Sequence, residues 1–105
     1  MPSPARQIMG PMRKTIRRLE HDQALDIGLS ALSFLAEERN RLVRFLDLTG
    51  MDPDELRMRA QTPVVLAAVL DHMLGDESML LVFTATTGLD PEVIGQARDL
   101  LQRSA

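Results

Sequence analysis

The chain has 105 residues, 45% of them hydrophobic and 26% charged, with a formal net charge of −3. That size and balance describe one globular domain able to bury a core unaided, far from the disordered and membrane classes. With no cysteine in the chain, disulfides, thiolate metal sites and thiol nucleophiles are all excluded.

Charge is spread unevenly. Residues 1–19 hold Arg6, Arg13, Lys14, Arg17 and Arg18 and no acid, which leaves residues 20–105 with seven bases against fifteen acids, a formal −8. Pro2, Pro4 and the Gly10-Pro11 break read as an unstructured, solvated arm over 1–19, followed by a single domain over 20–105; an arm that binds phosphates or an anionic surface is the alternative. The longest apolar run, Val64 to Leu70, falls far short of the ~18 residues of a membrane span, and the N-terminus has no apolar signal segment. A cytoplasmic protein without a transmembrane segment is expected.

From Asp22 onward the punctuation is helical. Asp22 is expected to cap a helix running to about Glu38, whose polar stripe is Asp26, Ser30, Ser33 and Glu37. Arg39 to Thr49 reads as an amphipathic helix with Leu42, Phe45 and Leu46 inward, ended by Gly50. Asp52 then caps, and Pro53 opens, a third helix with Asp54 and Glu55 in its first turn. Thr62-Pro63 starts an apolar helix through Leu74, closed by Gly75. Asp76 caps the next to Thr87, Gly88 ends it, and Asp90-Pro91 starts a last one reaching about Arg103. No strand-like alternation bounded by turn signals occurs, so the class is all-α.

A shift of 38 positions lays Leu42, Phe45, Thr49, Gly50, Asp52 and Pro53 onto Leu80, Phe83, Thr87, Gly88, Asp90 and Pro91. The reading is a compact six-helix bundle of two pseudo-repeated three-helix units, about 24–61 and 62–99. The first helix of each unit is the most apolar, which puts those two in the middle and the remaining pairs outside.

The stretches "ALSFLAEERNRLVRFLDLTGMDPDEL" and "VVLAAVLDHMLGDESMLLVF" resemble a bacterial domain-of-unknown-function family of small all-helical alphaproteobacterial proteins. The resemblance covers 22–103 and leaves the basic arm outside. It implies a helical fold, and no catalytic residues come with it.

Helix, glycine, apolar residue and second helix is also the rhythm of a DNA-reading helix-turn-helix. Its recognition helix would open with Asp52, Asp54 and Glu55, carboxylates facing a phosphate backbone, so nucleic-acid binding is disfavoured. Phe34, Phe45 and Phe83 all lie on apolar faces, which leaves no stacking platform for RNA. His21 and His72 lack a second histidine at helical spacing, no glycine-rich phosphate loop is present, and short loops leave little room for a cleft. The expectation is therefore a protein that is not an enzyme, with no catalytic, cofactor-binding or metal-binding residues.

If both units fold alike, their comparison points to a binding surface; the alternative is that the units pack asymmetrically and the N-terminal arm covers it. Arg41, Arg44, Arg57 and Arg59 correspond to Met79, Val82, Gly95 and Ala97, so the second unit should present an uncharged surface where the first is basic. Met79, Val82 and Thr86 form a second apolar stripe at i, i+3 and i+7 and are the candidate interface. The expected function is a protein-interaction module, with a homodimer as one form of it. The alternative is a nucleic-acid-associated protein using a basic patch of Arg39, Arg41, Arg44, Arg57 and Arg59.

Overall fold

A computed structural model describes residues 19–105, so the basic arm up to Arg18 lies outside the described residues. Six helices follow one another: α1 His21–Ala36, α2 Arg39–Thr49, α3 Pro53–Arg59, α4 Pro63–Leu74, α5 Glu77–Thr87 and α6 Pro91–Ser104. No strand occurs among the described residues, and none of these helices is long and apolar enough to cross a membrane.

Five of the six starts use the chemistry expected of them, or a close variant. Asp52, Thr62, Asp76 and Asp90 each accept a hydrogen bond from a backbone N–H of the first turn, and proline opens three of those four helices. At α1 the boundary moves: Glu20, not Asp22, is the cap, and its N–H donates to Gln23 Oε1 at 2.8 Å in a reciprocal capping box. Asp22 sits in the first turn, where its charge suits the helix dipole.

The repeated turn is the same object twice. Gly50 and Gly88 both adopt the left-handed conformation, at φ 75° and 77°. In each, the preceding threonine hydroxyl donates back to a phenylalanine carbonyl, Thr49 to Phe45 at 2.8 Å and Thr87 to Phe83 at 2.9 Å, and accepts from the residue after the glycine. Gly75 ends α4 differently, with an ordinary right-handed φ of −81°.

The core is built on α4. Val65, Leu66, Ala67, Val69, Leu70 and Met73 are all buried, because α1, α2, α5 and α6 each pack against this one helix. Each large side chain so buried is worth about 1.5–3 kcal/mol. At Gly28 α1 comes close to α4: a Cβ there would stand 2.8 Å from Leu66 Cβ.

Two aromatic contacts tie the peripheral helices to the centre. Phe34 of α1 meets Phe83 of α5 edge-on with centroids 5.4 Å apart, and His72 of α4 meets Phe45 of α2 likewise at 5.3 Å. The 38-residue shift carries Phe34 onto His72 and Phe45 onto Phe83, so each contact is the image of the other.

The third helices break this correspondence. α6 packs extensively on both α4 and α1, so the centre holds three helices, not the two expected. Val93, Ile94, Ala97 and Leu101 supply its buried face, whereas α3, stopped after seven residues, buries only Leu56. Arg59 of α3 is exposed while its counterpart Ala97 is fully buried. The inference that Ala97 faces solvent because arginine is tolerated at the matching position is thereby corrected.

Candidate functional site

The expected interface and part of the expected basic patch meet. Asn40, Arg41 and Arg44 of α2 face Ser78, Met79 and Val82 of α5 across a cleft of about 350 Å3, with His72 and Asp76 between them. Short connections did not prevent a cleft; it forms between helices instead of between loops. One wall is cationic and the other apolar.

Each residue has its own constraint. Arg41 is held with its guanidinium 4.1 Å above the Phe34 ring centroid and 3.7 Å from Glu38. Arg44 makes no ion pair among the described residues, which leaves it the available cation of the cleft. Asp76 is engaged as the cap of α5, accepting from Met79 N–H at 3.1 Å. Met79 is partly buried against the core, while Val82 is 48% exposed, a large apolar side chain presented to solvent.

His72 reports the local field. Burial, and then the nearby positive charge of Arg44, lower its pKa from the ordinary 6.5, against the opposing pull of Asp76 and Asp71. A histidine in the last turn of a helix is favoured as the cation by the dipole, so desolvation beside Arg44 outweighs that preference. The fold therefore favours the neutral ring packed on Phe45.

Other expected site residues fall elsewhere. Thr86 is exposed and its hydroxyl donates to the Val82 carbonyl at 2.9 Å, outside the cleft lining. Arg39, Arg57 and Arg59 are exposed but do not line the cleft, and Arg57 is paired with Asp54. The patch of five arginines is thus divided. Sequence reasoning missed Asn40 and Ser78, and it read His72 as an isolated histidine and Asp76 as a helix cap without placing either in a cleft; the 38-position shift that pairs Arg41 with Met79 and Arg44 with Val82 also pairs Asn40 with Ser78.

Among the described residues no three histidine, aspartate or glutamate side chains gather as a metal site would require. A second concavity, a groove of about 540 Å3, lies between the start of α1 and the α5–α6 turn.

Residues 21–104, the span from the first residue of α1 to the last of α6, match the family model described as Protein of unknown function (DUF3572). The chain belongs to DUF3572. The resemblance seen in the sequence is to such a family, and the matched span places the DUF3572 domain on the helices, with the basic arm outside it. No curated protein and no solved structure matches the chain.

Proposed function

We propose that this protein is a non-enzymatic interaction module that docks a protein partner in the cleft between α2 and α5. The observation that carries the reading is the facing of a cationic wall, Arg41 and Arg44, by an apolar wall, Met79 and Val82. A partner segment combining a carboxylate with an adjacent apolar side chain complements both walls at once. Val82 gains by leaving water, at about 25 cal/mol per Å2 of apolar area, and Arg44 gains the ion pair it lacks. A second copy of the chain is one such partner.

The internal repeat deepens this reading. In our interpretation the first two helices of each unit are related by a pseudo-two-fold axis through the cleft, supported by the mirrored Phe34–Phe83 and Phe45–His72 contacts and by the walls themselves. The units then diverged where they face each other, one keeping arginines and the other apolar residues.

Nucleic-acid association through Arg39, Arg41, Arg44, Arg57 and Arg59 is the second reading, and the unpaired Arg44 is what favours it. Against it, Glu38 and Asp54 already engage two of the five guanidiniums, and α3 opens with carboxylates. A pull-down from native lysate with and without nuclease separates the two readings. Recovery of one stoichiometric protein after nuclease, resistant to added salt, supports the module. Recovery that vanishes with nuclease and falls steeply with salt supports nucleic acid, since counterion release governs that binding.

A further inference from the structure

The groove between the start of α1 and the α5–α6 turn shares no residue with the cleft. Its apolar lining is Leu19, Ile27, Leu89 and Val93, and its charges are the carboxylates of Asp26 and Asp90. Neither carboxylate has a cationic partner within ion-pair distance among the described residues. The groove is therefore an apolar trough with an acidic rim.

The chain itself enters at this place. Leu19, the first described residue, packs against the core and lines the groove. Eighteen residues precede it, carrying five bases and no acid. Within them Met12 and Ile16 fall at i and i+4 with Leu19 at i+7, the spacing of one helical face, while Arg13, Lys14, Arg17 and Arg18 fall between. The last member of that apolar stripe is already seated in the trough. The backbone at Glu20, the cap of α1, is extended.

We propose that residues 12–18 dock in this groove in cis, with Met12 and Ile16 continuing the apolar contact begun by Leu19 and the intervening bases facing Asp26 and Asp90. Sequence alone reads the arm as a solvated tail, because nothing in its composition reveals a complementary trough at its point of attachment. Tethering makes the association intramolecular, so weak individual contacts suffice.

Limited trypsin digestion of the full chain at low ionic strength tests this, reading cleavage after Arg13, Lys14, Arg17 and Arg18 relative to cleavage after Arg6, which lies beyond the Gly10-Pro11 break. Ile16→Asp alters only the arm, and Asp26→Lys alters only the rim, at an exposed position that caps no helix. Docking predicts that the wild type is cut at those bonds roughly tenfold more slowly than Ile16→Asp, with Asp26→Lys between them, at rates independent of protein concentration. Equal rates in all three proteins overturn the proposal. Protection that grows with protein concentration also overturns it, and assigns the groove to a second copy.

Discussion

Gly50 and Gly88 isolate a backbone effect from a packing effect. A Cβ at either position would meet nothing within 4 Å, so the cost of a side chain there comes from positive φ alone. Gly50→Val and Gly88→Val should each destabilise by about 1 kcal/mol or more, because a β-branched residue is forced into the left-handed region. Asparagine, which tolerates that region, should recover much of the loss. Asp52→Ala and Asp90→Ala should each cost about 1 kcal/mol through the lost cap. Denaturant melts of the set check all of this; an aspartate variant of full stability that had lost partner binding would contradict the structural role. His72 supplies a pH test. Its folded pKa lies below the ordinary 6.5, so between those two values the unfolded chain binds more protons. Stability should therefore be full above about pH 6.5, fall as the pH drops toward the folded pKa, and lose no more from this group below it. The difference between wild type and His72→Gln, measured across pH 7 to 5, should show that slope. An NMR titration of the ring with its midpoint at or above the ordinary value would contradict it.

At the scale of elements, Gly28 decides how closely the two apolar helices approach. Alanine favours helix by about 1 kcal/mol over glycine, yet its Cβ would lie 2.8 Å from Leu66 Cβ, an atom fixed to the backbone of α4. Overpacking should win, and Gly28→Ala should destabilise by roughly 1–3 kcal/mol, visible as a lower thermal midpoint. An unchanged or higher midpoint would mean that α1 and α4 are less tightly apposed than this. Helix starts and stops were legible because their signals are local: Asp52-Pro53, Thr62-Pro63, Gly88 and Asp90-Pro91 specify their ends without tertiary help. Placement of α6 was not legible, since periodicity shows that Ile94, Ala97 and Leu101 share a face but not which helices cover it. The aligned repeat was misleading there, because α3 ends where α6 continues. The cleft was half legible: Met79 and Val82 stood out as an unexplained apolar stripe, but only the packing of α2 and α5 on a common α4 sets Arg44 opposite them.

For the whole molecule, the central claim is that the α2–α5 cleft is a protein-binding face and not part of the core. Val82 is exposed, so a lysine there stays hydrated in the free protein and should leave helical content and cooperative unfolding intact. Once a partner covers the site, that charge is desolvated on an apolar wall beside Arg41 and Arg44, at a cost of several kcal/mol unless it is compensated. The decisive measurement is nuclease-treated pull-down by Val82→Lys beside the wild type, with a thermal melt of each bait as the folding control. The cleft reading predicts a native melt and loss of the stoichiometric partner, or of the second copy if the protein self-associates. A natively folded Val82→Lys that recovers the same partner in the same amount would contradict it.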